Sequence, residues 1–311
     1  MRRVVIIGAG NVGSQCAASI MMLGLADEIV LLDVNSKLAR AQVMDLDDMA
    51  SGLKQRVAIR VGTYEDCTNA EFIVLSAGKS RMPGQSRRDM LQDTMRILDP
   101  IAESIKQSGF GGILICVTNP VDVVAEHLYR VLDLSRAKVF GTGTALDTAR
   151  LRRIISKHTG VSRQHIQAFA LGEHGESSFL WGSHLGFEGV TLPELMYQRE
   201  ALPPLKMGEI NKLVRQRGGD IIAGKGRTEF GISTVVTDIM SAVIHNEHSI
   251  MALSVHLRGE YDESDISVSV PCIVGACGIE EVLQVNMTEQ EISMLHMSCE
   301  AIRGYAKNVL G

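Results

Sequence analysis

The chain has 311 residues, 45% of them apolar and 22% charged, and a formal net charge of −5. This composition is ordinary for a globular protein, and the net acidity gives no reason to expect nucleic acid or an anionic membrane as partner. No apolar run approaches the ~20 residues that span a bilayer, and Arg2-Arg3 leads straight into a first strand without the apolar stretch of a secretory leader. A cytoplasmic protein is expected. The six cysteines form no CxxC pair, and several, such as Cys116, sit inside apolar runs, as reduced core residues do. The length exceeds what one core usually needs, so two lobes are expected.

Val4-Val5-Ile6-Ile7 is a short β-branched run, the pattern of a parallel strand buried on both faces. Gly8-Ala9-Gly10-Asn11-Val12-Gly13 follows at once and opens an apolar helix. Gly8 suits a tight turn, Gly10 lets a pyrophosphate approach the backbone, and Gly13 lets helix pack on strand. The helix start offers N–H groups and partial positive charge to phosphates. A second strand, Ile29 to Leu32, ends at Asp33, where a carboxylate is expected to bind both ribose hydroxyls. A 2′-phosphate would meet a like charge there, so NAD is expected rather than NADP.

Further along, strands are predicted at 3–7, 28–33, 57–61, 71–76, 112–117 and 137–140, with helices near 11–24, 36–50, 88–108 and 120–132 between them. The alternation implies a doubly wound parallel sheet of the Rossmann type over residues 1–142. Ser76-Ala77-Gly78 and Val117 to Pro120 then fall at carboxyl ends of strands, where such sheets bind ligands. The expected cofactor set is therefore Gly8, Gly10, Asn11, Val12, Gly13, Asp33, Ser76, Ala77, Gly78, Val117 and Asn119. Beyond Gly143 the pattern becomes mixed α+β, read as a substrate domain over 143–311. Helices are predicted near 144–159, 205–223, 230–247 and 288–309, with a strand hairpin near 252–274.

A cation-rich, glycine-flanked segment, about 79–90, leaves the cofactor edge of the sheet after Gly78. A plain solvated loop would need fewer cations. The segment is read as a lid that closes on an anionic substrate, expels water and strengthens each charge inside. Downstream, Asp147 and Arg150 on one predicted helix and His174 in Gly172-Glu173-His174-Gly175 complete a set suited to moving a hydride and a proton together. Histidine is charged before such a proton transfer and neutral after it, near neutral pH. A buried carboxylate favours its charged form, and an arginine grips a substrate carboxylate through two parallel hydrogen bonds.

With these motifs in this order, nearly the whole chain resembles the NAD-dependent lactate and malate dehydrogenases. The resemblance is carried by Gly8 to Gly13, Asp33, Pro83 to Arg87, Thr118-Asn119-Pro120-Val121, Gly141-Thr142-Gly143-Thr144, Leu146 to Arg150 and Gly172 to Gly175. It implies that His174 is the proton donor and acceptor, that Asp147 orients it, and that Arg150 binds the substrate carboxylate. Arg87 would descend with the lid and polarise the carbonyl, and Asn119 would donate to the same oxygen. It also implies a homodimer or homotetramer, and it involves no metal.

The resemblance divides on substrate. Arg81, two residues before the lid Pro-Gly, stands where malate enzymes carry an arginine for the second carboxylate of oxaloacetate. Gly172-Glu173-His174 and Lys225-Gly226-Arg227-Thr228 look like lactate enzymes, with Thr228 against the substrate, and Gly224 to Ile232 resembles branched-chain 2-hydroxyacid dehydrogenases. Pyruvate would leave a buried guanidinium unpaired, at several kcal/mol by the general cost of such a group, so oxaloacetate and L-malate are expected. Pyruvate and branched-chain keto acids are the alternative. Arg152 matches an arginine of the family's sugar bisphosphate site, but Gln167 replaces its histidine, so that site is expected to be incomplete. Gly219 to Lys225 resembles a phosphate loop but falls at a helix end, and His245 with His248 is read as an exposed helix face rather than a metal site. Two rival classes remain: a nucleotide-binding protein without chemistry, and a metal-dependent, NAD-dependent glycosidase.

Overall fold

The structure, a computed structural model, describes residues 1–78, 87–199 and 203–307, with the backbone alone for 87–90. The apolar runs of the first half form a parallel sheet. Strands β1 (Arg3–Ile7), β2 (Glu28–Leu32), β3 (Ala58–Val61), β4 (Phe72–Leu75), β5 (Ile113–Cys116) and β6 (Val139–Gly141) stand in the order β3-β2-β1-β4-β5-β6. That is the doubly wound dinucleotide-binding order. Helices α1 (Asn11–Met22), α2 (Ser36–Ala50), α3 (Arg87–Gln107) and α4 (Val121–Val131) make the crossovers. With helices on both faces, the inner strands have no solvent side, so Val4, Val5, Ile6, Ile29, Val30, Ile73 and Val74 are fully buried.

Strand register fixes the functional edge. Ile7 is opposite Leu32 on one side and Leu75 on the other; Leu75 is opposite Cys116, and Cys116 is opposite Gly141. The residues that follow these strand ends therefore emerge side by side at the carboxyl edge. Gly8, Asp33, Ser76, Val117 and Thr142 all stand on this line.

The second half is mixed α+β, as expected, and it adds to the same sheet. Helix α5 (Ala145–Thr159) leads into two short hairpins, β7 (Ala170–Leu171) with β8 (Phe179–Leu180) and β9 (Gly186–Phe187) with β10 (Val190–Thr191). Helices α6 (Leu192–Gln198), α7 (Met207–Lys225) and α8 (Phe230–Ile244) follow. An antiparallel meander of β11 (Ser249–Arg258), β12 (Ser264–Gly275) and β13 (Gly278–Val282) then joins β6 through Ser254 opposite Gly141. Among the described residues this makes one nine-stranded sheet. Helix α9 (Glu289–Ala306) closes the described chain. One apolar core runs from β1 and β4 through β12 and α8, and a smaller one gathers Leu151, Ile155, Ile166, Leu180 and Val214 under α5 and α7.

Some expectations need correction. Helix α8 stops at Ile244, so His245 caps it and His248, at φ 52°, belongs to the following turn. The two histidines do not share a helix face. Among the described residues no group of metal-ligating side chains forms. Gly219 to Lys225 lies within α7 and forms no loop. Strand β13 and helix α6 were not anticipated, being short and lacking a clear apolar period. Five cysteines are buried, but Cys277 is exposed in the turn between β12 and β13. No described helix is long and apolar enough to cross a membrane.

Candidate active site

The glycine turn after β1 forms a cradle. Gly13 is obligatory, because a Cβ there would stand 1.8 Å from the Gly8 carbonyl oxygen. Gly10 caps α1 and offers no side chain to the helix start. A Cβ at Gly10 would meet nothing within 4 Å, so the first turn, with Asn11 and Val12, opens onto unobstructed space. Asp33 is fixed by two backbone donors: Ala9 N–H donates to Oδ2 at 2.8 Å and Asn35 N–H to Oδ1 at 2.8 Å. Ser76 Oγ donates to the Gly8 carbonyl at 3.0 Å, and Thr118 Oγ1 to the Ala77 carbonyl at 2.8 Å. These contacts tie the ends of β1, β4 and β5 into one rim, with Gly78 and Asn119 exposed on it and Val117 buried behind. An uncapped helix start for phosphates and a fixed carboxylate for ribose are what a dinucleotide requires, so the residues fit NAD.

The proton machinery is assembled across this rim. Asp147 falls in the first turn of α5, with Arg150 one turn later. His174 Nδ1 is 2.7 Å from Asp147 Oδ2, and Arg150 Nη1 donates to Asp147 Oδ1 at 3.0 Å. One carboxylate therefore holds both. Burial alone would raise the Asp147 carboxyl, but the charge and hydrogen bond of His174, with Arg150, keep it below the ordinary carboxylate range. Burial alone would lower His174; the charge and hydrogen bond of Asp147, with the charge of Asp122, bring it above the ordinary imidazole value. The His174 side chain keeps 27% exposure, enough to face a ligand.

Several backbone links place the His174 loop. The hairpin of β7 and β8 carries it, and Gly172, at φ +88°, turns the chain while exchanging two backbone hydrogen bonds with Ser269 of β12. Thr144 N–H donates to Ser269 Oγ at 3.0 Å, and Thr144 Oγ1 donates to the Ala170 carbonyl at 2.6 Å. The α5 start and the histidine loop are thus pinned to one strand. His174 N–H donates to Asp122 Oδ2 at 2.8 Å. The sequence reading missed Asp122; an acid in a helix's first turn is common, and only the contact across 52 residues distinguishes this one.

The structure brings together Asp147, Arg150 and His174, and gathers Asp33, Ser76, Ala77 and the glycine turn at the carboxyl edge. Thr228 is half-buried just before α8, beside Glu229, which accepts from Lys225 Nζ at 2.6 Å and Arg227 Nε at 2.8 Å. Arg81 and the side chain of Arg87, both expected in the lid, lie outside the described residues. Arg152 Nε donates to the Ala168 carbonyl at 3.1 Å, and Gln167 Oε1 accepts from Glu188 N–H at 3.0 Å.

Residues 2–141 match the model of the lactate/malate dehydrogenase NAD binding domain, and residues 144–309 match that of the lactate/malate dehydrogenase alpha/beta C-terminal domain. The chain belongs to the lactate/malate dehydrogenase family. It is an NAD-dependent oxidoreductase acting on a CH–OH group. L-lactate dehydrogenase 3 of Bacillus cereus is 36% identical over 99% of this chain and 98% of its own length. L-lactate dehydrogenase 1 of Bifidobacterium longum is 34% identical over the same shares. Among solved structures, the ligand-bound minor L-lactate dehydrogenase of Enterococcus mundtii superposes with a TM-score of 0.95 at 34% identity, covering 99% of this chain and 98% of that one. A lactate dehydrogenase from a Medee basin deep-sea metagenome also reaches 0.95, at 31% identity and 99% coverage of both chains.

Proposed function

We propose that this enzyme interconverts a 2-keto acid and its L-2-hydroxy acid, and that pyruvate and L-lactate are its substrates. The chemistry rests on the 2.7 Å contact between His174 Nδ1 and Asp147 Oδ2 beside Arg150. That contact commits Nδ1, so Nε2 is the nitrogen that passes a proton to the carbonyl oxygen. NAD, bound at the glycine turn and Asp33, supplies or accepts the hydride. Arg150 grips the substrate carboxylate with the guanidinium hydrogens that Asp147 does not use. Asn119 and Arg87 donate to the oxygen that gains charge, which is electrostatic catalysis in a site closed to water by the 79–90 lid. In this reading residues 1–142 form the NAD-binding domain and 143–311 the substrate domain, the protein is cytoplasmic, and copies associate as a homodimer or homotetramer.

The relatives named L-lactate dehydrogenase along nearly the whole chain favour pyruvate, as do the lactate-like Gly172-Glu173-His174 and the segment ending at Thr228. This reverses the expectation drawn from Arg81 alone. Pyruvate offers the Arg81 guanidinium no second carboxylate to pair with. A second reading, oxaloacetate and L-malate, is favoured by Arg81 itself. Initial rates of NADH oxidation with pyruvate, oxaloacetate and 2-ketoisocaproate decide. The highest kcat/KM on pyruvate supports the proposal; the highest on oxaloacetate replaces it with the malate reading, and the highest on 2-ketoisocaproate with a branched-chain one. EDTA should change none of these rates.

A further inference from the structure

The joint between α7 and α8 carries a charge cluster with no part in the chemistry derived so far. Helix α7 ends at Lys225, Gly226 caps it at φ 84°, and α8 begins at Phe230. Glu229, the last residue of the joint, has a side chain only 10% exposed. Its Oε1 accepts from Lys225 Nζ at 2.6 Å and its Oε2 from Arg227 Nε at 2.8 Å. Lys225 Nζ also stands 3.9 Å from the centre of the Phe230 ring. The last residue of α7 thus grips the first residue of α8 and the acid before it. Thr228 lies between Arg227 and Glu229 in the chain, so both of its neighbours are fastened. The Lys225 ammonium, with Arg227, holds the Glu229 carboxyl below the usual carboxylate range against partial desolvation, so the clasp is ionic at neutral pH.

The two helices joined here both rest on α5, which holds Asp147 and Arg150. A Cβ on Gly218 of α7 would lie 3.5 Å from Nη1 and Nη2 of Arg150. A Cβ on Gly231 of α8 would lie 2.8 Å from Cδ1 of Leu146, the residue before Asp147. The backbone of α7 therefore runs directly over the guanidinium, and the start of α8 is pressed against the first turn of α5. The joint between them sets how closely both helices, and Thr228 with them, approach the place where the keto acid sits.

We propose that Glu229 is a positioning residue for substrate selection, which closes the joint on Lys225 and Arg227 and so limits the size of the keto-acid side chain admitted beside Thr228. The inference rests on the reading that Thr228 lies against the substrate. Lys225 and Arg227 keep 37% and 54% side-chain exposure, so their pairing with Glu229 adds little to global stability. Its effect is local and is felt in geometry. A fixed apolar pocket distinguishes side chains that differ by one methylene by roughly 10- to 200-fold, and a joint that yields surrenders part of that margin.

The test compares Glu229→Ala and Glu229→Gln with wild type on pyruvate, 2-ketobutyrate and 2-ketoisocaproate at saturating NADH. For Glu229→Ala the ratio of kcat/KM on 2-ketoisocaproate to that on pyruvate should rise about fivefold or more, with a higher KM for pyruvate. Glu229→Gln, which keeps the shape without the charge, should fall between Glu229→Ala and wild type. Affinity for NADH should stay within about twofold, since the glycine turn and Asp33 are elsewhere. A merely structural role would lower kcat/KM on all three acids by one common factor, and an unchanged ratio overturns the proposal. If Glu229→Ala does not fold, Lys225→Met opens the same clasp from the other side and must move the ratio in the same direction. Thr228→Val separates the two levels of the argument. A ratio that moves with Thr228→Val but not with the Glu229 variants sinks the clasp alone. A ratio that Thr228→Val leaves unmoved removes Thr228 from the substrate and the inference with it.

Discussion

Arg150 Nη1 donates to Asp147 Oδ1 at 3.0 Å, one helical turn along α5 from the carboxylate it contacts. The opposite oxygen of the same carboxylate holds His174. The group that moves the proton and the group that grips the acid are therefore referenced to one buried anion, and disturbance of Asp147 should be felt in both.

Asp147→Asn should thus alter two kinetic constants together. Without the charge His174 loses its main source of imidazolium stabilisation, and Arg150 loses its anchor. We expect kcat for reduction to fall by about 10²-fold or more, the contribution of a positioned general acid, with a rise in KM for the keto acid. Steady-state kinetics with saturating NADH measure both. A loss of less than tenfold, or an unchanged KM, would contradict the shared-anchor reading.

The pH dependence has a definite sign. The folded-state value of His174 lies above the ordinary imidazole value, so its contribution to stability is complete below that ordinary value and is lost as pH rises through the folded one. Reduction needs the imidazolium. Its kcat/KM should be flat on the acid side of the folded value and fall about tenfold per pH unit beyond it. Oxidation of the hydroxy acid needs the neutral ring and should rise with pH through the same point. Paired profiles in the two directions check this, and limbs that fail to mirror one another would exclude His174 as the common group.

Asp33→Ala should weaken NAD binding and narrow its margin over NADP. The carboxylate is positioned by Ala9 and Asn35 and would meet a 2′-phosphate as a like charge. Fluorescence titration with NADH and NADPH reads the ratio directly, and an unchanged ratio would remove Asp33 from the cofactor site.

Arg81→Gln tests the substrate assignment. Because pyruvate offers the guanidinium no second carboxylate, the variant should keep or improve its kcat/KM on pyruvate. Any activity on oxaloacetate should fall by about 30-fold or more, the cost of losing roughly 2 kcal/mol or more of a desolvated charge pair. A variant that loses pyruvate activity as well would show that Arg81 serves another role.

A buried network on α4 offers a test of stability. Glu126 accepts from His256 Nδ1 at 2.9 Å, Ser267 Oγ at 2.9 Å and Arg130 Nε at 2.7 Å. Glu126→Ala would strand His256 and Ser267 in the core and should cost about 3–5 kcal/mol by urea denaturation near neutral pH. A loss below about 1 kcal/mol would mean that these partners find others.

The nucleotide half was legible because its signals are local. A continuous apolar run such as Val4 to Ile7 admits few readings once Gly8 to Gly13 and Asp33 stand at the right intervals. Asp147 and Arg150 were legible as one helix face. The approach of His174 was supplied by resemblance, because its partner is 27 residues away in the chain. What could not be read was pairing across long separations. Nothing local to Ser254 says that it will lie against Gly141, and nothing local to Asp122 says that it will receive the His174 N–H. The end of α8 was misjudged because apolar periodicity does not mark where Asn246, at φ 50°, turns the chain.

The seam between β6 and β11 bears on how the two halves could be recombined. Both halves contribute strands to one hydrogen-bonded surface, so neither is a detachable module. A chain cut after residue 142 would bare the edge of β6, an unpaired row of donors and acceptors ready to capture a strand from any neighbour. Exchange of cofactor halves between relatives should therefore succeed only where the incoming β6 preserves a small residue at Gly141, since a Cβ there would press within 2.7 Å of Val121 and 3.1 Å of Ser254. A single glycine at the join thus restricts which halves can be combined.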